Sequence, residues 1–373
     1  SSLINYSSNG YCTTNNDCNV GRGGGSDDMK GFGNTGKRFL QLLNKAEREK
    51  WFIRARDLKI GKTLARGGGG TVYFAEWNGI TVVVKAVSGG FMPMNYYEMI
   101  DDYTMQGFLT ETEMLSSLRH PNIVQFFGCT TMKNELGHLA IGIVQEYCSG
   151  GSLYDLIHNI YNQNEDEVGK EKQKIELEWK TIIRYSRDIA RGMNYLHSRV
   201  PPIIHRDLKS PNLLLSQTNM IKITDFGVSR FKPTDIAEHL STSEKNSNIG
   251  SGNDKNRDVK MTGQVGSTLW MAPELMQGLK YSEKVDVYSY AIILWELLTK
   301  KLPYEELDDN VNISVEVISG VRPTIPEWCP LGFKKLIIDC WSGDSKDRPN
   351  FEQILVRIEE IEQTEGDFII PQQ

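Results

Sequence analysis

LARGGGGTVYFAEWNGITVVVK, residues 64–85, carries four consecutive glycines, Gly67 to Gly70, between stretches of β-forming residues. A glycine run alone reads as a linker or a turn. Its flanks say more. TVYFAEWNG and ITVVVKAV are rich in β-branched and aromatic residues and meet at Asn78-Gly79, the strongest short hairpin signal a sequence holds. The run thus leads into a β-hairpin, and the residues alone leave open a linker or a connection whose bare backbone N–H groups a ligand could approach.

Upstream, GKRFLQLLNKAEREKWFIRARDLKIGKTL starts as a short helix and enters a strand near Leu58. Downstream, FLTETEMLSSLRH has helical apolar spacing with Pro121 as a stop, and NIVQFFGCTT and LAIGIVQEYCS read as further strands. From Ser152 the character changes. SLYDLIHNIY, WKTIIRYSRDIARGMNYLHSR, KVDVYSYAIILWELLT, FKKLIIDCW and FEQILVRIEEIEQ all carry helical patterns. The expected class is α+β: a small β-rich lobe with one major helix, then a larger α-helical lobe. Two polar insertions, NQNEDEVGKEKQKIE and STSEKNSNIGSGNDKNRDVK, read as solvated and mobile. The Ser-, Asn- and Gly-rich first 35 or so residues hold too few large apolar groups to offset the entropy of ordering, and read as disordered.

With 373 residues, 39% hydrophobic and 24% charged, the chain has the composition of a soluble globular protein. Its net charge of -6 argues against general nucleic-acid affinity. No apolar run approaches the roughly 18 residues that span a bilayer, and YSYAIILWELL reads as a buried helix. The six cysteines, at 12, 18, 129, 148, 329 and 340, are sparse and irregularly spaced, which suits a reducing compartment. Cys12 and Cys18 lack the nearby His or Cys pair of a zinc site. Starting at Ser1 without Met, the sequence reads as a piece of a longer protein, so it says nothing of an anchor elsewhere.

VVVK at 82–85, HRDLKSPN at 205–212, DFG at 225–227 and APE at 272–274 stand in the order and spacing of the eukaryotic protein kinase signatures, which the sequence closely resembles over residues 57–363. The resemblance implies a bilobal fold with an N-lobe at 57–146 and a C-lobe at 147–363. It leaves 1–56 as an N-terminal extension and 364–373 as a tail. Within the family the glycine run is a lid over the phosphates of ATP, its pattern falling on Ala65, Gly67, Gly70 and Val72. Ala65 replaces the first family glycine, and Gly69 stands where the family commonly has a bulky tip, implying a mobile loop and weakened ATP affinity.

The same resemblance implies the remaining roles. Lys85 holds the α- and β-phosphates and pairs with Glu111. Asp207 accepts or orients the substrate hydroxyl proton, Lys209 reaches the transferred phosphoryl group, and Asn212 and Asp225 bind Mg²⁺. Gln145 guards the back of the nucleotide pocket, Glu146 and Cys148 offer backbone groups to adenine, and Leu64 and Leu214 complete the nucleotide-binding set. Glu274 is expected to pair with Arg348, and Asp286 to brace the catalytic loop. Leu115, Phe126, His205 and Phe226 match an internal hydrophobic stack. Arg206 and Arg230 resemble contacts to a phosphate on the activation segment, with Thr262 the best site by position and Ser267 a structural hydroxyl near Asp207.

Lys209 with SPN, and GSTLWMAPE, resemble the serine/threonine pattern, whereas WMAPE, DVYSY and CW…RPNF are shared with tyrosine kinases. That mixture is similar to the tyrosine-kinase-like group. The implied function is ATP- and Mg²⁺-dependent phosphorylation of Ser and Thr in protein substrates on the cytosolic side of the cell. Dual specificity, tyrosine specificity and a pseudokinase scaffold are the alternatives.

Overall fold

The turn at Asn78-Gly79 has both residues in the left-handed region, with φ of 49° and 81°. A two-residue hairpin loop demands this, because that twist matches the twist of the flanking strands. The computed structural model describes residues 4–6, 12–14, 34–67, 70–87, 102–133, 139–158, 177–231, 267–308 and 311–371. Gly68, Gly69, Cys18, Ser241, Ser247, Thr262 and both polar insertions lie outside the described residues. The chain divides into two compact units, Ser1–Ser117 with Phe126–Tyr147, and Leu118–Gln125 with Cys148–Gln373.

Within the start read as disordered, β1 (Ile4–Tyr6) pairs antiparallel with β2 (Cys12–Thr14). Ile4, Tyr6 and Thr13 favour an extended backbone, although a two-stranded pair this short is marginal alone. Helix α1 (Asn34–Arg48) follows. The first unit is then dominated by an antiparallel sheet of order β3-β4-β5-β7-β6. Its strands are β3 (Leu58–Gly67), β4 (Gly70–Trp77), β5 (Ile80–Val87), β6 (Phe126–Lys133) and β7 (Leu139–Glu146). Helix α2 (Asp102–Ser117) precedes β6.

Alternation sorts the strand residues. Val82, Val84 and Ala86 join Leu58, Tyr73, Ala75 and Val144 in one buried cluster. The intervening Val83 and Lys85 point to the other face. There Val72 and Ile143 are the cross-strand partners of Lys85, and Gln145 is the partner of Val83. Val72, Lys85 and Gln145 thus share one face, which follows from the period of two alone.

The strand expected from Asn122 begins only at Phe126. Asn122 donates its side-chain amide to the Ile221 carbonyl, and Val124 N–H bonds to Ile223, so residues 118–125 belong with the second unit.

The second unit is built on helices α3 (Leu153–Ile157), α4 (Trp179–His197), α5 (Pro273–Met276), α6 (Lys284–Thr299), α7 (Ile313–Ser319), α8 (Leu331–Cys340) and α9 (Phe351–Glu365). Every residue of α6 from Val285 to Thr299 is buried. A helix apolar on all sides can only be a core element, and α4 and α8 pack against it. Short strands frame the loops: β8 (Ile203–Ile204) pairs with β11 (Arg230–Phe231), and β9 (Leu213–Leu215) with β10 (Ile221–Ile223). No helix among the described residues is long and apolar enough to cross a membrane.

Candidate active site

In the first unit, Lys85 Nζ lies 3.0 Å from both carboxylate oxygens of Glu111. The Glu111 side chain is 5% exposed and that of Lys85 18%. A buried carboxylate needs a partnered cation, so α2 brings its acid to the one lysine of β5. The ammonium is thereby held on the face that carries Val72 and Gln145. Gln145 is buried, and its Nε2 is buried without a hydrogen-bond partner among the described residues. An unmet donor costs about 1–3 kcal/mol, and a ligand acceptor reaching that face would satisfy it.

Ala65 faces Val72 across β3 and β4, and Gly67 pairs with Gly70 at the ends of the two strands. Gly70 has φ of +119°, and a Cβ there would lie 2.2 Å from the Ala86 carbonyl oxygen. Only glycine fits. Leu64 lies on β3, half-exposed, at an irregularity of the register, and Glu146 ends β7 as the partner of Val82.

The second unit carries Cys148, Asp207, Lys209, Asn212, Leu214 and Asp225. Lys209 Nζ lies 2.8 Å from Asp207 Oδ2 and donates to Ser267 Oγ at 2.6 Å. Asn212 Nδ2 donates to Asp207 Oδ2 at 3.0 Å and to the Asp207 carbonyl at 2.8 Å. Two donors therefore hold one carboxylate oxygen of Asp207 and leave Oδ1 out of both bonds. With its side-chain nitrogen so occupied, Asn212 keeps its side-chain oxygen Oδ1 as an acceptor. Thr224 N–H bonds to the main-chain carbonyl of Asn212, which ties the start of Asp225's loop to the same turn. Leu214 sits in β9 opposite Lys222, half-buried, and Cys148 is buried at the start of the unit.

Two residues here depart from ordinary backbone geometry: Arg206 has φ of 70° and Asp225 of 66°. Non-glycine residues in the left-handed region cost on the order of 1–3 kcal/mol and persist only where the surroundings impose them. For Arg206 the surroundings are clear. Asp286, fully buried in α6, accepts from the N–H of His205 at 2.9 Å, the N–H of Arg206 at 2.8 Å and His197 Nε2 at 2.8 Å. Burial raises the Asp286 pKa, but the His197 hydrogen bond, the charges of His197 and His205 and the Arg206 amide outweigh it and hold the carboxyl below its usual value. The Arg206 guanidinium lies over the Tyr281 ring, 5.6 Å from its centroid, while Arg230 is exposed on β11.

Further braces surround the loop. His205 and Phe226 stack edge to face at 5.1 Å, with His205 Nε2 3.0 Å from the Thr224 carbonyl. Leu115 and Phe126 are buried in the first unit. Arg348, 1% exposed, grips Glu274 through two hydrogen bonds of 2.6 and 3.0 Å.

His197 and Glu296 escaped the sequence reading. Glu296, fully buried, accepts from Ser210 Oγ at 2.7 Å and Trp270 Nε1 at 3.0 Å, and lies 2.9 Å from His158 Nε2. It thereby joins the turn after Lys209 to the turn after Ser267. A single acid inside the apolar run YSYAIILWELL was the available signal, since a carboxylate in a core helix must find donors.

Asn212 and Asp225 supply the hard oxygen donors that suit Mg²⁺, which takes few protein ligands and keeps waters. Among the described residues no cluster of three or more His, Cys, Asp or Glu forms an alternative metal site.

A family model described as the protein kinase domain matches residues 58–357. A probable serine/threonine-protein kinase of Dictyostelium discoideum is 36% identical over 82% of this chain and 28% of its own length. The probable serine/threonine-protein kinase drkD of the same organism is 34% identical over 82% of this chain and 20% of its own. Serine/threonine-protein kinase STY46 of Arabidopsis thaliana is 33% identical over 90% of this chain and 49% of its own. The chain thus spans less than half the length of each of these relatives.

Proposed function

Because the chain belongs to the protein kinase domain family, whose members generally use ATP and Mg²⁺, we propose that it transfers the γ-phosphoryl group of ATP to serine and threonine hydroxyls of protein substrates. The observation that carries this reading is the arrangement at Asp207. Its Oδ2 is engaged by Lys209 and Asn212, and we assign Oδ1 to the incoming hydroxyl. There it orients the oxygen and receives the proton as transfer completes. A weak base suffices, since the nucleophile contributes little bonding in a loose transition state.

Lys209, held by Ser267 as well as by Asp207, places a positive charge where it offsets the negative charge of the transferring group. Lys85, fixed by Glu111, would hold the nucleotide's α- and β-phosphates. Ala65, Gly67 and Gly70 would cover the phosphates, with Leu64, Val72, Gln145, Leu214 and the backbone of Glu146 and Cys148 receiving the base. Asn212 and Asp225 would hold Mg²⁺, which when bound neutralises phosphate charge. The choice of Ser and Thr over Tyr is supported by Lys209 with SPN and by the printed names of the relatives. Buried Cys129, Cys329 and Cys340 are free thiols, in keeping with a reducing, cytosolic setting.

The test is acid hydrolysis of the protein after incubation with labelled ATP and Mg²⁺, with Asp207→Asn as control. Phosphoserine and phosphothreonine should dominate in the wild type and the variant should stay unlabelled. Predominant phosphotyrosine, or equal labelling of Asp207→Asn, overturns the proposal.

A further inference from the structure

Glu111 lies on a helix, and no sheet ladder fixes a helix; whatever holds α2 holds the carboxylate that pairs with Lys85. Part of that hold comes from outside the region matched to the family. Helix α1 packs on α2. Arg38 Nη1 donates to Gln106 Oε1 at 2.9 Å, and Nη2 reaches the Glu113 carboxylate at 3.3 and 3.4 Å. Gln106 and Glu113 lie about two helical turns apart on one stripe of α2, and Glu111 falls within the span they bracket. The Phe39 and Phe108 rings meet edge to face at 6.4 Å. Leu42 and Ala46 of α1 are buried. Arg38 and Glu113 are 40% and 44% exposed, so their ion pair adds little by itself. The apolar contacts carry the docking and the charges set its register.

The far end of α1 is fastened independently. Ile53 N–H donates to the Cys129 carbonyl at 2.8 Å, and Cys129 N–H to the Trp51 carbonyl at 3.1 Å. The Trp51 ring meets Phe126 edge to face at 5.5 Å. The chain comes this close because residue 128 is glycine; a Cβ there would lie 2.0 Å from the Trp51 oxygen. So α1 is clamped to β6 at one end and laid along α2 over its body.

We infer that α1 is a strut that sets the Lys85–Glu111 pair, which makes Arg38, Phe39 and Leu42 positioning residues for phosphoryl transfer. The inference rests on the proposed role of Lys85 in holding nucleotide phosphates. It assigns a function to a segment that precedes every kinase signature in the chain.

Two measurements on the full chain test it. In Phe39→Ala/Leu42→Ala, amide hydrogen exchange across α2 should quicken about ten-fold while the β4–β5 hairpin is unchanged. The same variant should lose about ten-fold in kcat/KM for ATP, because a small misplacement of a positioned group is costly, with KM for the protein substrate unaltered. Arg38→Glu should show both effects more weakly, and adding Glu113→Arg should restore them, which a merely destabilising change would not permit. Unchanged exchange in α2, or failure of the charge swap to rescue, overturns the strut. Faster exchange with unaltered kcat/KM overturns its catalytic meaning. Lys85→Met is run alongside: full activity there would overturn the reading of the pair itself, and would do so without touching the exchange result.

Discussion

Ser267 accepts a 2.6 Å hydrogen bond from Lys209, so a hydroxyl in the turn before the APE sequence anchors the lysine that also touches Asp207. The lysine is therefore aimed from two sides. Ser267→Ala should lower kcat by about ten-fold, with a smaller change in KM for ATP, since under the proposed function the lost contact positions a charge used in the transition state. Ser267→Thr keeps the hydroxyl and should retain most of the activity. Steady-state kinetics on the two variants checks this, and an alanine variant with wild-type kcat would remove Ser267 from the mechanism.

Arg348 and Glu274 make the second test. Arg348 is buried, its contact with the partly buried Glu274 is two-pronged, and it also donates to the carbonyls of Ser342 and Lys284. Removing one partner leaves an uncompensated buried charge, at a cost of about 3–5 kcal/mol. Glu274→Ala, which leaves the buried Arg348 guanidinium without its carboxylate, should lose stability on that scale in urea unfolding. A loss within about 0.5 kcal/mol, the ordinary range for surface substitutions, would mean that the bonds are not maintained in solution.

Asp286 yields a pH dependence whose sign is set by its depressed folded pKa. A carboxyl held below its unfolded value of about 3.9 stabilises the fold fully above that value and loses the contribution as pH falls through the folded value. The thermal stability advantage of wild type over Asp286→Asn should thus be flat between about pH 7 and 5, and shrink only below about 4. An advantage already declining between neutrality and pH 5 contradicts the assignment.

Gly70 and Gly79 separate steric from conformational demand. Both have positive φ, but an added Cβ at Gly70 would strike the Ala86 carbonyl at 2.2 Å, whereas at Gly79 nothing lies within 4 Å. Gly79→Ala should cost only the left-handed strain, about 1 kcal/mol. Gly70→Ala must also displace β5, and should cost about 3 kcal/mol or more while raising KM for ATP. Equal destabilisation of the two variants would show that the close approach is not real.

How much of this was legible depended on distance along the chain. The hairpin at Asn78-Gly79 and the limits of α6 follow from local chemistry and periodicity, each within one short stretch of chain, whereas the face shared by Lys85 and Gln145 needs the pairing of β5 with β7. The site residues came from ordered motifs in which several short signals reinforce one another. What stayed hidden were partnerships across long separations: His197 with Asp286, Glu296 with Ser210 and Trp270, and Arg38 with Gln106. By sequence, residues 1–56 read as an extension, with a short helix before the strand near Leu58, since no motif marks them. Yet Leu42, Ala46 and Ile53 are buried in the first unit.

The clamp at Cys129 has a consequence for solubility. In the order β3-β4-β5-β7-β6, strand β6 is an edge, and an exposed edge is a template on which another chain can add a strand. Phe52 bridges Cys129 in parallel, occupying the N–H and C=O that β6 would otherwise present there. The short crossing of residues 51–53 thus guards the sheet against self-association. A protein trimmed to start at Leu58, where the family match begins, would bare that edge together with the Phe126 ring. Its failure in solution would be aggregation through β6, with the signature motifs all still in place.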